Sequence, residues 1–174
     1  MSIARVVSTR ATCPKRFVGV VIVDQKHLII SIGYNGAPPG MNHCLQVGCL
    51  EVDGHCRRAI HADANAIVHA RGSLEGCTMY IWGGSPCWSC AQLIASSGIT
   101  EVKCVGVYDD WQRVQTYLAG TNIAITWMED RELKSILNPK TTYSKEIITD
   151  MLGKKATDYS PAILQSDQEV DVKP

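Results

Sequence analysis

The sequence lacks an excess of charge of either sign, because 17 basic residues are balanced by 17 acidic ones and the formal net charge is zero. A protein that holds a long nucleic acid by its phosphates needs a positive field, and this chain does not provide one. With 45% hydrophobic and 20% charged residues, its composition is that of an ordinary globular protein. We therefore expect a small-molecule substrate and no long nucleic acid as a partner.

Long hydrophobic runs are also missing. The longest, residues 17–23, ends at Asp24 and is far shorter than the about 20 apolar residues of a membrane-spanning helix. Arg5 and Arg10 interrupt the N-terminal segment, which therefore has no apolar core of the kind that secretory signals carry. We expect no membrane partner and a cytoplasmic location. Disulfide frameworks are typical of small secreted chains, so metal ligation is the favoured use of the eight cysteines.

The pattern of apolar residues predicts one compact α/β domain over residues 1–130. A short N-terminal helix and a β-hairpin of residues 17–23 and 27–32 are followed by alternating helices and strands as far as residue 127. This order, ββαβαβαβ after the first helix, favours a mixed sheet flanked by helices. Residues 41–58 are polar without a sustained period and are predicted to form a long functional loop.

Residues 131–174 differ in character from the rest of the chain. Residues 131–137 and 143–152 are predicted to be amphipathic helices, and residues 154–174 are polar and poorly patterned. We expect a C-terminal helical extension that ends in a flexible tail.

Two short motifs carry the metal-ligating side chains. The apolar period predicts that His61 begins one helix and that Cys87 and Cys90 begin the next, so the three side chains meet if these helices pack side by side. Three protein ligands leave a fourth position of a zinc ion open for water, as in catalytic zinc sites. The Cys-x-x-Cys spacing alone is shared with zinc knuckles and redox motifs. Pro86 and the acidic Asp63, two residues after the histidine, favour the site of zinc deaminases.

Such a site predicts hydrolytic deamination. The metal lowers the pKa of a water molecule towards neutrality and prepares it to attack an electron-poor ring carbon. A neighbouring carboxylate, here Asp63, takes a proton from the water, passes it to a ring nitrogen and later protonates the departing amine. The expected substrate is therefore a ring that carries an amino group.

Five successive segments of the sequence carry a resemblance to a known family: TCPKRFVG at 12–19, GYNGAP at 33–38, the loop at 43–49 that begins with HC and ends with GC, HADANAI at 61–67 and SPCWSC at 85–90. In these segments the chain resembles the deoxycytidylate (dCMP) deaminases of the cytidine deaminase-like superfamily. The similarity extends over about residues 2–128, and the order and spacing of the segments agree as well as their letters. The resemblance implies a three-layer α/β/α fold with a mixed five-stranded central sheet, dCMP as the substrate, dUMP as the product, a role in nucleotide supply for dTMP synthesis, and a homo-oligomer, commonly a hexamer.

Asp63 departs from this family, which has Glu at the matching position. Aspartate is shorter by one methylene, about 1.5 Å of reach, and a small misplacement at a reacting centre costs on the order of 100-fold in rate. Three interpretations stay open: a displaced but working acid/base, an inactive or altered enzyme kept for nucleotide binding, and an engineered substitution. We expect a slow or inactive enzyme whose pocket is still built for dCMP. A deaminase for another amino-substituted base is a further alternative.

The resemblance implies that Asn35 hydrogen-bonds the sugar of the substrate, although a turn residue is the favoured explanation of Asn35 without it. Tyr108 follows a strand end on the side where the pocket loops of such sheets gather, so it is a candidate to stack on the base or to reach the phosphate, and ordinary packing explains it nearly as well. Ser85 is a further candidate for substrate binding. A phosphate needs cations, and the sequence does not choose among five candidates: Lys15, Arg16, Arg57, Arg58 and Arg113.

A second set of cysteines lies outside the deaminase motif. Four thiols, those of Cys13, Cys44, Cys49 and Cys56, would close a tetrahedral structural zinc site and so stabilise the irregular segment around them. The alternative is that some of them are small buried hydrophobic residues.

A regulatory site is implied by the resemblance alone. The family binds dCTP as activator and dTTP as inhibitor, each with Mg²⁺, near the segment that corresponds here to Gly33, Tyr34, Asn35 and Gly36. Backbone amides of a glycine-rich turn can cradle phosphates, although a simple turn explains the two glycines as well.

Overall fold

The computed structural model describes residues 1–128, and the predicted extension over residues 131–174 lies outside this range. In the described part, no helix has the length and apolar character needed to cross a membrane. The helices are α1 (Ser2–Ser8), α2 (Cys44–Val47), α3 (Ala62–Val68), α4 (Trp88–Ser96) and α5 (Trp111–Gly120). The strands are β1 (Gly19–Val23), β2 (Ile29–Tyr34), β3 (Glu51–Val52), β4 (His55–Cys56), β5 (Thr78–Trp82), β6 (Glu101–Val105) and β7 (Ala124–Trp127).

Five of the strands form one mixed sheet in the order β2-β1-β5-β6-β7. Strand β1 pairs antiparallel with β2 and with β5, whereas β5, β6 and β7 are parallel to one another. Parallel neighbours need crossover connections, and α4 and α5 supply them. The predicted hairpin and the predicted mixed five-stranded sheet are confirmed.

Helices cover both faces of this sheet. All five residues of β1 are buried, because alternate side chains of a strand point to opposite faces and both faces are covered here. Val20 and Ile22 pack in the core on the side of α3, α4 and α5, whereas Val21 and Val23 pack with Ala4 of α1. The predicted three-layer α/β/α arrangement is therefore confirmed.

A glycine allows α3 to lie directly on the sheet. A Cβ at Gly33 of β2 would overlap backbone atoms of Ala62 and Ala66 in α3. The amide Nδ2 of Asn65 donates a hydrogen bond of 2.8 Å to the carbonyl of Tyr34, which fixes the helix along the strand. The close packing sets where the N-terminus of α3, and the histidine that precedes it, meets the sheet.

Residues 41–58 are not the irregular loop that the sequence predicted. They contain the four-residue helix α2 and the antiparallel hairpin of β3 and β4, in which Glu51 pairs with Cys56. The hairpin turns at Asp53 and Gly54, both with positive φ. Elements of two to four residues are too short to show a hydrophobic period, which is why the sequence pattern missed them.

Candidate metal and substrate site

Three predicted ligands converge at the N-termini of two neighbouring helices. His61 is the N-cap of α3, Cys87 is the N-cap of α4, and Cys90 lies in the first turn of α4. His61 Nδ1 lies 3.3 Å from the sulfur of Cys87 and 3.5 Å from that of Cys90, and the three ligand atoms lie within 4.8 Å of one another. Tetrahedral zinc, with bonds of about 2.0–2.3 Å, requires ligand atoms roughly 3.5 Å apart. The three side chains therefore have the spacing of a zinc site.

The same hydrogen bonds shift the pKa values of the three groups in the metal-free protein. Hydrogen bonds from the Cys90 thiol and from His61 lower the pKa of Cys87 to about 4, against the effect of burial. The hydrogen bond between His61 and Cys87 is the main cause that raises the pKa of His61. The hydrogen bond between Cys90 and Cys87 is likewise the main cause that raises the pKa of Cys90. Cys87 is therefore held as a thiolate, the form of cysteine that binds metals.

Asp63 lies in the first turn of α3, next to these ligands. Its side chain is buried, with 5% exposed, and burial raises the pKa of its carboxyl group. The carboxyl oxygen Oδ1 has no hydrogen-bond partner among the described residues. Buried polar atoms are rarely left without a partner. An orphaned carboxylate oxygen beside a ligand set is what a site for a water molecule or a substrate would leave in the free protein.

A cavity of about 310 Å³ opens beside the metal ligands, and His61, Asp63 and Cys87 contribute to its lining. This volume lies at the lower end of the roughly 300–1,000 Å³ that small-molecule sites occupy. Tyr108 also lines it, with its ring centroid 6.4 Å from that of His61. Trp88, the residue after Cys87, is not among the lining residues and packs on Tyr117, with ring centroids 5.0 Å apart.

Asn35 and Ser85 line this cavity as predicted, but the hydrogen bonds of both side chains go to neighbouring backbone. Asn35 Oδ1 accepts from the amide of Val18 at 2.8 Å, and its Nδ2 donates to the carbonyl of Arg16 at 2.9 Å. Ser85 Oγ accepts from the amide of Tyr108 at 2.9 Å. Both residues therefore position the loops that carry Arg16 and Tyr108, and their direct contact with substrate stays a prediction.

His55 is a cavity residue that the sequence analysis did not single out. It is the first residue of β4, and its Nδ1 lies 3.4 Å from the hydroxyl of Tyr108. The only signal in the sequence was its position next to Cys56. A two-residue strand gives no pattern that would aim its side chain into a cavity.

Three of the four cysteines of the predicted second zinc site come together. The ligand atoms of Cys44, Cys49 and Cys56 lie within 4.8 Å of one another, and the sulfurs of Cys44 and Cys56 are 3.6 Å apart. Cys13 is buried and lies outside this group of three, and its sulfur accepts from the amide of Lys15 at 3.4 Å. The thiols of the group are therefore placed to share a metal ion.

Backbone amides surround one sulfur of this cysteine group. Burial opposes ionisation of Cys56, but hydrogen bonds from the backbone of Ala59 and Arg58 lower its pKa to about 7. Burial raises the pKa of Cys44 to about 12. The group therefore includes one sulfur that ionises easily, as a metal ligand must.

The predicted effector segment is divided between two cavities. Gly33, Tyr34 and Gly36 line a second, more open cavity of about 650 Å³, whereas Asn35 lines the one beside the metal ligands. The second cavity is completed by polar side chains from α2, α3 and the loop after it, among them His43, Asn65, His69 and Arg71.

Comparison with known proteins identifies the family. The family model "Cytidine and deoxycytidylate deaminase zinc-binding region" matches residues 1–106. ComE operon protein 2 of Bacillus subtilis is 31% identical over 159 residues, which cover 90% of this chain and 82% of that protein. Deoxycytidylate deaminase of Mycobacterium phage D29 is 34% identical over 114 residues, 59% of this chain and 88% of that protein. The chain belongs to the cytidine and deoxycytidylate deaminase family.

Solved structures agree with this assignment. The crystal structure of dCMP deaminase from the cyanophage S-TIM5, in complex with dCMP and dUMP, superposes with a TM-score of 0.63 at 25% identity. The superposition covers 73% of this chain and 92% of that chain. The resemblance to dCMP deaminases seen in the sequence is therefore confirmed.

Proposed function

We propose that this protein is a zinc-dependent deaminase that converts dCMP to dUMP, and that it supplies the precursor for dTMP synthesis. One observation carries the proposal. His61, Cys87 and Cys90 converge within 4.8 Å of one another beside a buried carboxylate and a cavity of nucleotide-compatible size. Membership of the family and the likeness to a cyanophage enzyme that binds dCMP and dUMP support the choice of substrate.

The three clustered side chains suit zinc both in the type of their ligand atoms and in the spacing between these atoms. One imidazole nitrogen and two thiolates are ligands that zinc prefers, and three of them leave one position free. His61 would bind through Nδ1, the atom that both sulfurs approach. When bound, zinc would activate a water molecule for attack on the ring carbon that carries the amino group.

Asp63 would then move the protons. As a carboxylate it accepts one from the water through Oδ1, the oxygen that has no partner in the described residues. It would pass this proton to the ring nitrogen beside the amino group. It would then take the second proton from the hydroxyl group newly bonded to the ring carbon and give it to the amine, which leaves as ammonia while the carbonyl forms. In the metal-free protein, burial raises the pKa of this carboxyl group, which makes it a better proton acceptor than an exposed aspartate.

A catalytically weak or inactive nucleotide-binding protein is the second candidate. The observation that favours it is Asp63 itself, whose carboxylate begins one methylene further from the substrate than the glutamate of the resembling family. In that case the cavity would bind dCMP, and turnover would be negligible.

A substrate panel tests the proposed function. Zinc-loaded protein is incubated with dCMP, deoxycytidine, cytidine and guanine, and products are followed by chromatography together with ammonia release. We expect slow conversion of dCMP to dUMP and little change in the other compounds. His61→Asn should abolish both zinc binding at this site and turnover, whereas His27→Asn, in the exposed turn between β1 and β2, should preserve both. Faster deamination of another compound would contradict dCMP as the substrate, and binding of dCMP without turnover would favour the second candidate.

We further propose a structural zinc ion at Cys44, Cys49 and Cys56, with Cys13 as the fourth ligand. The shared location of three thiols and the easily ionised Cys56 support it. The ion would join α2 to the β3–β4 hairpin, two short elements with little core of their own.

Zinc analysis tests this second site. We expect two zinc ions per chain in the purified protein and one in Cys49→Ala. The control Cys77→Ala removes a cysteine that belongs to neither ligand group and should keep two. A content of one zinc per chain in the unaltered protein, measured by elemental mass spectrometry, would contradict the second site.

Regulation by dCTP and dTTP with Mg²⁺ is also proposed, through the cavity of about 650 Å³ that Gly33, Tyr34 and Gly36 line. The volume suits a nucleotide, and Arg71 in its wall is a cation suited to phosphate. A homohexamer in the cytoplasm stays an expectation from the family resemblance.

A further inference from the structure

The cysteine group of Cys44, Cys49 and Cys56 adjoins the cavity beside the candidate metal ligands. Cys56 is half-buried and lines this cavity, together with Gly54 and His55 of the same hairpin. Cys44 is buried, with 3% exposed, and is not among the lining residues. A small molecule that enters the cavity therefore reaches Cys56 before it reaches Cys44.

The sulfurs of these two cysteines are close enough to form a disulfide after a small movement. They lie 3.6 Å apart, and both are free thiols in the structure. An S–S bond is about 2.05 Å long, so the gap would have to close by roughly 1.5 Å. Cys44 begins the four-residue helix α2, and Cys56 ends the two-residue strand β4. Elements this short are held by few hydrogen bonds and move more easily than the central sheet.

A peroxide is a suitable oxidant for this bond. The thiolate of Cys56, the more exposed of the two, attacks one oxygen of hydrogen peroxide, the O–O bond breaks, and a sulfenic acid and one water molecule result. The sulfur of Cys44 then attacks the sulfenic sulfur, the S–O bond breaks, and a second water molecule leaves. The two sulfurs together lose two electrons, which the peroxide accepts. Two thiols and one peroxide thus give one disulfide and two water molecules.

The movement needed for this disulfide would change the wall of the cavity. His55 directly precedes Cys56, and its Nδ1 lies 3.4 Å from the hydroxyl of Tyr108, which lines the same cavity. A shift of roughly 1.5 Å at Cys56 is large compared with the tolerance of a hydrogen bond. Pulling Cys56 towards Cys44 would therefore separate His55 from Tyr108 and change the shape of the site.

We propose that Cys56 is a site of oxidative modification by peroxides, with Cys44 as its resolving cysteine, and that the resulting disulfide weakens ligand binding in the cavity. Thiol reagents reverse such a bond. The reaction consumes two of the proposed ligands of the structural zinc, so it would also release that ion. The modification is independent of the proposed function, and only its effect on nucleotide binding rests on that function.

Peptide mapping tests the modification site. The zinc-loaded full chain is treated with hydrogen peroxide, the remaining thiols are alkylated, and the protein is cleaved after glutamate without reduction. Cleavage after Glu51 and Glu75 leaves Cys56 as the single cysteine of its peptide, so fragment ions identify its partner. We expect a link to Cys44 as the first product, lost on treatment with dithiothreitol and accompanied by zinc release.

Two variants separate the disulfide from the loss of zinc. Cys44→Ala and Cys49→Ala each remove one clustered thiol, and so one proposed zinc ligand. Cys49→Ala should still form the link between Cys44 and Cys56. Cys44→Ala should lose it and accumulate a sulfenic acid on Cys56, which a dimedone probe detects. Cys77→Ala, which removes a buried cysteine outside the group, should behave as the parent does.

Several mapping results would overturn the modification site, whatever reaction the protein catalyses. One is a first link between Cys87 and Cys90. Another is oxidation of Cys56 no faster than that of the buried Cys77. A third is an undiminished yield of linked Cys56 peptide in Cys44→Ala.

Calorimetric titration with dUMP tests the effect on the cavity. We expect the protein that carries the disulfide to bind dUMP about 2- to 10-fold more weakly than the reduced protein, the range for one lost neutral hydrogen bond. Reduction should restore the affinity. Unchanged affinity would overturn the effect on ligand binding and leave the proposed function intact. If the reduced protein did not bind dUMP, the proposed function and this effect would both fail, whereas a mapped link between Cys44 and Cys56 would still establish the modification site.

Discussion

Replacing Asp63 with glutamate is expected to raise kcat for dCMP deamination by on the order of 100-fold, the size of effect that a misplaced reacting group produces. The added methylene, about 1.5 Å long, would bring the carboxylate nearer to the ring nitrogen that it must protonate. Oδ1 of Asp63 has no protein hydrogen-bond donor among the described residues, so this oxygen is available to a water molecule or a substrate.

The experiment needs a variant that removes the proton carrier while keeping the size of the side chain. Asp63→Asn meets this requirement, and its kcat should fall below that of the unaltered protein to the background rate. All three proteins should contain the same zinc, since Asp63 is not one of the three clustered ligands. Steady-state rates with saturating dCMP provide the measurement. Equal kcat in the unaltered protein and Asp63→Glu would show that aspartate carries the proton transfer without loss.

Gly33→Ala is expected to lower the free energy of unfolding by about 3 kcal/mol, the upper part of the range for overpacked sites. The new methyl group would overlap backbone atoms of Ala62 and Ala66, which cannot rotate away as a side chain could. Helix α3 would have to move off β2, against the 2.6 Å hydrogen bond that Ser31 Oγ donates to the carbonyl of Ala66. His61 caps this helix, so we also expect weaker zinc binding and slower turnover.

Gly120→Ala is the matched control for this substitution. A methyl group at Gly120, the last residue of α5, would meet no atom within 4 Å. It should be neutral or stabilise the protein by about 0.4–1 kcal/mol, through the lower entropy of the unfolded chain. Urea unfolding of both variants at a fixed zinc concentration provides the comparison. Coincident transitions for Gly33→Ala and the unaltered protein would show that α3 tolerates the displacement.

Much of the fold was predictable because its signals are local. Strand β1 is a run of β-branched residues, Gly98 with its positive φ follows the C-cap of α4, and the Cys87 to Cys90 spacing spans one helical turn. Each of these features depends on neighbours within a few residues. The order of the elements of the five-stranded sheet was therefore correctly predicted from the sequence, and the three predicted ligands His61, Cys87 and Cys90 lie together in the structure.

The wall of the cavity was not predictable in the same way. His55 reaches it from a two-residue strand, and its contact with Tyr108 joins positions 53 residues apart. Asn35 and Ser85 also hydrogen-bond backbone groups 17 to 23 residues away, and the sequence did not predict these contacts. Hydrogen bonds between distant segments leave no periodic trace in a sequence.

The sequence by itself indicated the candidate chemistry and the fold: a histidine and two cysteines as candidate metal ligands, an aspartate as candidate proton carrier, and alternating elements that form a mixed sheet. Only the tertiary structure decided which of the five basic residues line the cavity beside the candidate metal ligands, namely Lys15 and Arg16. Lys15 and Arg16 are neighbours with the same charge, and they differ because Glu51 meets one of them while Tyr108 meets the other. The charge of a side chain follows from the residue type, whereas the presence of an opposite charge next to it depends on the fold.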